Sequence, residues 1–191
     1  MAHNLRPFRD YSEHEVVNYF TYSGTNESAA VVKTKGAVVK VVAPGFQPFS
    51  TGLLGSNPIE SLGSVGAAYG NTESDRWGAV AKVTVASSGD QPLGITLMDV
   101  RELDENGERL VFNPRKAAEM GVVVSGQTVP VLTRGVVLYS GVAATAGQVA
   151  YLAASANGDL TAGTTLPNGA IKVGTFLGTA VNGVAPLKIQ L

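Results

Sequence analysis

Few side chains in this sequence could perform nucleophilic catalysis or bind a metal ion. The chain has 191 residues, no cysteine and two histidines, His3 and His14. A catalytic Ser–His or Cys–His pair needs a histidine held beside an orienting acid, whereas both histidines lie in a segment that we predict to be an extended arm. His14 is isolated between two glutamates, which does not predict a metal site. We therefore expect no enzyme activity, no metal and no cofactor.

The densest group of ionisable residues surrounds a predicted hairpin turn at residues 104–107. Paired carboxylates could perform acid–base chemistry, as in glycoside hydrolysis. Such a site also needs aromatic side chains along a cleft, and aromatic residues are 7% of the chain, with one tryptophan. The acids are mixed with arginines, so we predict a solvated tip rather than a catalytic pair. The residues of this group are Asp99, Arg101, Glu102, Asp104, Glu105, Glu108 and Arg109.

Residues 44–78 are rich in glycine and proline and have no sustained hydrophobic period. This composition predicts a long loop, and long loops inside compact domains tend to be functional. Gly63, Gly66 and Gly70 are not followed by a Gly-Lys-Ser/Thr sequence, so they do not predict a phosphate-binding loop. The loop remains a second candidate for partner binding.

The composition indicates an unusually uncharged protein. Charged residues are 15% of the chain, against ~25% in typical globular domains. The formal net charge of −1 gives no long-range attraction to nucleic acid or to an anionic membrane. The first residues lack the apolar region of a signal peptide, and no apolar run approaches ~18 residues, so we expect neither a signal peptide nor a transmembrane span. We expect either a molecule whose faces are covered by partners, or a Gly-rich β domain with a Ser/Thr surface.

Short apolar runs separated by turn residues predict an all-β fold, either a small antiparallel barrel or a sandwich. In the C-terminal unit, residues 133–191, four such runs lie at 136–139, 148–152, 171–177 and 184–191, and three Asn-Gly pairs, at 157–158, 168–169 and 182–183, lie in the connections after the second and third runs. Asn-Gly favours the type I′ turn of a β-hairpin. Residues 29–43 predict two further strands around Lys35-Gly36. These segments belong to one β domain, residues 26–191.

One short helix is predicted at residues 114–120. Asn113 suits the N-cap, Pro114 suits the first helical position, and Gly121 suits the residue after the helix. In the N-terminal segment, Ser12 and Glu15 have the spacing of a capping box. That pattern would start a second short helix, although the β-branched and aromatic residues at 15–22 equally favour an extended strand.

The N-terminal arm, residues 1–25, contains five aromatic residues among its first 22 positions. The apolar surface of these side chains must be buried against some other surface. We expect the arm to dock on a neighbouring subunit; the alternative is that it folds back on its own β domain. Aromatic and arginine side chains dominate protein interfaces, so the predicted partner-binding residues are Leu5, Arg6, Phe8, Arg9, Tyr11, Tyr19 and Phe20.

The C-terminal unit has a particular order of strands and turns. The sequence QVAYL at residues 148–152 leads to Asn157-Gly158-Asp159, and GTFLGTA at residues 174–180 leads to a closing apolar strand. This order resembles the small β-barrel of tailed-bacteriophage capsid decoration, or cement, proteins. The NLRPFRDY stretch at residues 4–11 is similar to the extended arms of phage structural proteins.

The resemblance implies a structural protein of the virion, made in the host cytoplasm. Such a protein binds the major capsid protein on the outside of the head, stabilises contacts between capsid subunits, and forms a homo-oligomer, with a trimer preferred. Nucleic acid and membrane are not expected partners. The alternative function is an adhesin or tail-associated β module that binds a host surface ligand, since Gly-rich β structure with variable loops fits both.

Overall fold

The computed structural model describes residues 5–7, 10–22, 30–43, 82–154 and 157–191. These residues form short β-strands with one α-helix. The bounds are β1 Leu5–Pro7, β2 Val16–Val17, β3 Thr21–Tyr22, β4 Val31–Lys33, β5 Val38–Val41, β6 Lys82–Val85, β7 Gly94–Thr96, β8 Asp99–Arg101, β9 Val122–Val124, β10 Val131–Leu132, β11 Arg134–Ser140, β12 Val149–Leu152, β13 Leu160–Gly163, β14 Lys172–Phe176, β15 Val184–Gln190 and helix α1 Pro114–Met120.

The strands form three sheets in the described part of the chain. Sheet A has the order β1-β11-β15-β14-β12-β13, sheet B the order β2-β10-β7-β5-β6-β3, and sheet C the order β4-β8-β9. Sheet A is antiparallel throughout. Sheets B and C each contain one parallel pair, β3 with β6 and β8 with β9.

Sheets A and B pack face to face, and the largest hydrophobic cluster lies between them. Alternate residues of a strand point to opposite faces, and β5 shows the consequence. Val38 belongs to the cluster that contains Phe176 and Leu187 of sheet A, whereas Val39 packs on the opposite face of sheet B with Phe20. The predicted all-β fold is therefore confirmed. It is a sandwich of sheets, and none of the three described sheets closes into a barrel.

Helix α1 occupies the predicted residues. The Asn113 side chain accepts a hydrogen bond from Lys116 N, Pro114 is the first residue, and Gly121 ends the helix with a left-handed φ of 62°. Ala117 packs the helix on Leu110 and on Val124 of sheet C. Among the described residues, no helix is both long enough and apolar enough to cross a membrane.

The capping box at Ser12 forms a turn, and no helix follows it. Ser12 N donates to Glu15 Oε2 at 3.1 Å, and Glu15 N donates to Ser12 O at 2.9 Å. The chain then continues as strand β2. Of the two structures predicted for residues 15–22, the extended one is therefore confirmed. Helix formation gives way here because Val16 and Val17 gain ladder hydrogen bonds with β10.

The strands predicted around Lys35-Gly36 form, but they do not pair with each other. β4 pairs with β8 in sheet C, and β5 pairs with β6 and β7 in sheet B. The turn between β4 and β5 therefore takes the chain from sheet C to sheet B. It is held by Lys35 N, which donates to Asp99 Oδ1 at 2.7 Å.

The expectation that residues 1–25 leave the β domain is wrong for the described part of that segment. β1 pairs antiparallel with β11, and Leu5 lies opposite Tyr139. β2 and β3 complete the two edges of sheet B. The physical reason is that an edge strand presents unpaired backbone N–H and C=O groups. β1 satisfies these groups on β11 and buries Leu5 in the same step.

Candidate interaction surface

The structure separates the predicted partner-binding residues into two groups. Leu5 and Phe20 are buried in the chain's own core, with exposed fractions of 0% and 8%. Arg6 is exposed, and Tyr19 is 69% exposed. Phe8 and Arg9 lie outside the described residues. Leu5 and Phe20 therefore cannot be interface anchors in this conformation, and the predicted set does not form one surface.

Tyr11 shows how the N-terminal segment is fixed to sheet A. Its hydroxyl donates to Val136 O at 2.7 Å. Its ring lies against Gly135, where an added Cβ would come within 2.8 Å of Tyr11 Cε1. Gly135 has a φ of 153° and leaves the space that the ring occupies. Tyr11 thus holds its own chain together, which is the alternative to docking on a neighbour.

A different surface lies at one end of sheet A, where two loops meet. We call residues 141–147 and 177–183 the uncharged end, because neither loop contains a charged residue. β11 and β15 pair over their full length, from Arg134 opposite Gln190 to Ser140 opposite Val184. The loop that leaves β11 and the loop that enters β15 are therefore brought to the same edge of the sandwich.

Backbone hydrogen bonds join these two loops into one unit. Ala180 N donates to Ala144 O at 2.8 Å, and Gly141 N donates to Gly183 O at 2.9 Å. Asn182 and Gly183 have φ values of 52° and 74°, as a type I′ turn requires. Val181 and Val184 exchange two hydrogen bonds across that turn, of 2.9 and 3.0 Å. The uncharged end is consequently a fixed shape.

The uncharged end contains exposed apolar side chains and a shallow depression. Val181 is 70% exposed and Leu177 is 51% exposed. The depression has a volume of about 480 Å³ and is lined by Gly141, Val142, Ala143, Ala144, Thr145, Ala180 and Gly183. These are small side chains, and the only side-chain polar group among them is the Thr145 hydroxyl. Such a surface suits contact with another protein better than the binding of a charged ligand.

A second exposed apolar group lies at the other described helical element, the 3-10 turn Leu110–Phe112. Phe112 is 83% exposed and Val111 is 45% exposed. Charged residues surround this turn, however. Arg115 Nε contacts Glu119 Oε1 at 3.2 Å, so Phe112 differs from the uncharged end in its electrostatic environment.

Within the group of acids around residue 104, Asp104 itself stabilises a turn. Asp104 is buried, with 5% exposure, and its Oδ1 accepts hydrogen bonds from Asn106 N at 2.7 Å and Glu108 N at 2.9 Å. The hydrogen bond from Glu108 lowers the pKa of this carboxyl below its ordinary value of 3.8, while burial opposes the shift. The prediction of a solvated tip is therefore wrong for Asp104, because its carboxylate is buried and accepts two backbone hydrogen bonds. A further main-chain hydrogen bond, from Asp104 N to Glu108 O at 2.9 Å, closes the same turn.

Lys33 joins β4 to the turn before β13. Its Nζ donates to Asn157 O at 2.8 Å, while Val38 N donates to Gly158 O at 2.9 Å. Burial lowers the pKa of Lys33 below 10.5, and the Asp159 carboxylate opposes this shift. Within the described ranges, no three His, Cys, Asp or Glu side chains come together as a metal site.

Comparison with known proteins adds no family to these observations. No protein-family model matches the chain, and no curated protein matches its sequence.

Sequence reasoning missed the uncharged end, although a signal for it exists. From Gly135 to Gly158 the sequence contains no charged residue, and none occurs from Val173 to Leu187. In a β protein with a polar outer face, such gaps indicate that part of the surface is uncharged. The aromatic residues of the N-terminal segment were more conspicuous, but Phe20 is buried in the core and Tyr11 packs on sheet A.

Proposed function

We propose that the protein is a virion structural subunit, a capsid decoration protein that binds the outside of a phage head and stabilises contacts between major capsid proteins. The observation that carries this proposal is the uncharged end, a fixed and exposed apolar surface built from the loops at 141–147 and 177–183. The resemblance of residues 148–152 and 174–180 to decoration proteins supports it. β12 and β14, which contain part of each motif, are neighbours in sheet A.

The chemistry of the uncharged end favours a protein partner. Burial of a charged side chain without a partner is costly, and these loops contain none. Each Å² of apolar surface removed from water contributes about 25 cal/mol. Val181 and Leu177 would supply the central contacts, with polar residues such as Thr179 at the rim, and interfaces are commonly arranged in this way.

The proposal is tested by placing a charge in this surface. Val181→Asp should lower the affinity for heads that lack the protein by more than about tenfold, because an unpaired carboxylate would be buried on binding. Phe112→Asp is the matched control, since it introduces the same charge at an exposed apolar residue outside the uncharged end. Both changes leave the core residues in place, so the variants should have wild-type melting temperatures.

Co-sedimentation with heads, read out as bound copies per particle, measures the effect. Equal occupancy of Val181→Asp and the wild type would contradict the proposed surface, and absence of wild-type binding would contradict decoration itself. The resemblance also implies a homotrimer. Light scattering of the same samples tests that part, because a mass of 19.7 kDa at micromolar concentration would exclude a trimer that is stable without the capsid.

An adhesin or tail-associated module is the second candidate function. The observation that favours it is that Val181 and Leu177 lie in loops at one end of the sandwich, and recognition by adhesins is expected at loop tips. The same two variants separate the candidates. Loss of host-cell binding by Val181→Asp, together with no binding of the wild type to heads, would favour the adhesin.

A further inference from the structure

The chain contains four Asn-Gly pairs, beginning at Asn106, Asn157, Asn168 and Asn182. An asparagine that is followed by glycine can form a ring with the next peptide nitrogen, because glycine has no Cβ to obstruct that nitrogen. That nitrogen attacks the side-chain amide carbon of the asparagine. The attack requires the peptide between the two residues to rotate away from its folded geometry, so the hydrogen bonds that hold this peptide decide which pair can react.

The pair Asn157-Gly158 is held on both sides. Asn157 O accepts from Lys33 Nζ at 2.8 Å, and Gly158 O accepts from Val38 N at 2.9 Å. Gly158 is buried, and an added Cβ would lie 2.6 Å from Val38 O. Rotation at this position would break both hydrogen bonds and displace the turn from β5.

Asn106 and Asn182 are also restrained. Asn106 N donates to Asp104 Oδ1 at 2.7 Å, and Gly107 N, which would be the attacking atom, donates to Asp104 O at 3.4 Å. Asn182 lies in the type I′ turn closed by the two Val181–Val184 hydrogen bonds. The carbonyl of its glycine, Gly183, accepts a further bond from the neighbouring loop of the uncharged end.

Asn168-Gly169 has the weakest restraint of the four. Both residues are exposed, in the connection between β13 and β14. Among the described residues, a single hydrogen bond closes this turn, from Ala170 N to Pro167 O at 3.0 Å. In the part of the chain that the structure describes, no atom outside the turn lies within 4 Å of a Cβ placed on Gly169. Neither carbonyl of the reacting pair accepts a hydrogen bond from the described residues, so the peptide can rotate without disturbing the sheet.

From these contacts we infer that Asn168 is the site of spontaneous deamidation in this protein. The Gly169 nitrogen forms a bond to the amide carbon of Asn168, the carbon–nitrogen bond of the side-chain amide breaks, and ammonia leaves. The nitrogen loses its proton to solvent, which leaves a five-membered succinimide. Water then opens the ring at either carbonyl and gives aspartate or isoaspartate. The net change is addition of one water and loss of one ammonia.

The product would alter the β13–β14 connection and leave the uncharged end intact. Each conversion adds one negative charge, and the isoaspartate form also lengthens the backbone by one carbon. β13 is an edge strand of sheet A, whereas β14 lies between β12 and β15. The modified turn therefore connects the edge strand β13 to the interior strand β14, and the turn itself is exposed. This inference does not depend on the proposed function.

Peptide mapping of the purified wild-type protein tests the inference. The protein is incubated at mildly alkaline pH, and the rate of each Asn-Gly conversion is measured by mass spectrometry with an isoaspartate-specific methyltransferase as a second readout. We expect Asn168 to react at least about tenfold faster than Asn157, because two hydrogen bonds must first break at residue 157. Conversion of Asn106, Asn157 or Asn182 as fast as Asn168 would overturn the assignment.

Two variants test the physical reason. Asn168→Gln should remove most of the charge heterogeneity that develops during incubation, and a heterogeneity equal to that of the wild type would contradict the inference. Asp104→Ala removes the two hydrogen bonds that the Asp104 carboxylate accepts from Asn106 N and Glu108 N, so the rate at Asn106 should rise towards that at Asn168 while the rate at Asn157 stays unchanged. An unchanged rate at Asn106 in folded Asp104→Ala protein would show that the hydrogen bonds to the Asp104 carboxylate do not control the reaction.

Discussion

Replacement of Leu5 by alanine measures whether the N-terminal segment belongs to the core. Leu5 is fully buried and packs in the main cluster between sheets A and B. Truncation of a buried leucine to alanine typically costs about 2–5 kcal/mol. In a chain of this size each kcal/mol lowers the melting temperature by about 2–4 °C. We therefore expect Leu5→Ala to melt about 4–20 °C below the wild type.

Arg6→Ala is the matched control, because Arg6 is the next residue of the same strand and its side chain is exposed. An exposed substitution of this kind should change stability by less than about 0.5 kcal/mol. Thermal melting followed by circular dichroism, with urea unfolding as a check, distinguishes the two variants. If Leu5→Ala has the same melting temperature as Arg6→Ala but no longer attaches to heads, the segment docks on a neighbour. That result would refute the conclusion that Leu5 belongs to the core of its own chain.

The remaining predictions concern two other positions. Asp104→Asn should be less stable than the wild type at neutral pH, and this difference in stability should shrink as the pH falls below about 3.8. The reason is that a carboxylate whose pKa is lowered by folding loses its contribution to stability when it is protonated. Urea unfolding at several pH values measures the difference, and a difference independent of pH would contradict the prediction. Gly174→Ala should lower the urea concentration at the unfolding midpoint, because the added Cβ would be pressed against Lys188 O and lie 3.1 Å from Leu187 Cδ1. The expected loss in the free energy of unfolding is about 1–3 kcal/mol or more. An unchanged midpoint would contradict this prediction.

Features determined by neighbouring residues were predictable from the sequence. Helix α1 is confirmed at both ends, since its cap, its first proline and its terminal glycine act within one or two turns of the helix. The apolar runs of the C-terminal unit are confirmed as β11, β12, β14 and β15. In each case the chain needed only local chemistry to choose its conformation.

The Asn-Gly pairs show where local reasoning fails. Only Asn182-Gly183 has the positive φ at both residues that a type I′ turn requires, since Asn182 is the one non-glycine with positive φ among the described residues. The turn at Asn168-Gly169 connects β13 to β14, which are not neighbours because β12 lies between them. Turn chemistry predicts that the chain reverses, but the partner of each strand depends on residues far away in the sequence.

The N-terminal segment could be predicted to dock, and the surface on which it docks could not. Its aromatic residues require burial whichever surface covers them. The choice of β11 depends on a hydrogen bond such as that from Tyr11 to Val136, which are separated by 125 positions. The uncharged end depends in the same way on the pairing of β11 with β15, which brings two charge-free loops together.

The central place of β15 in sheet A has a consequence for the order in which the protein folds. β15 lies between β11 and β14 and contributes three buried residues, Ala185, Leu187 and Ile189, to the main cluster. During synthesis, β1 and β11 emerge long before residues 184–190 do. Until then the inner edges of β11 and β14 expose unpaired backbone groups and apolar side chains, which makes such intermediates prone to aggregate. Sheet A should thus close only late, in a step that joins distant parts of the chain and is correspondingly slow.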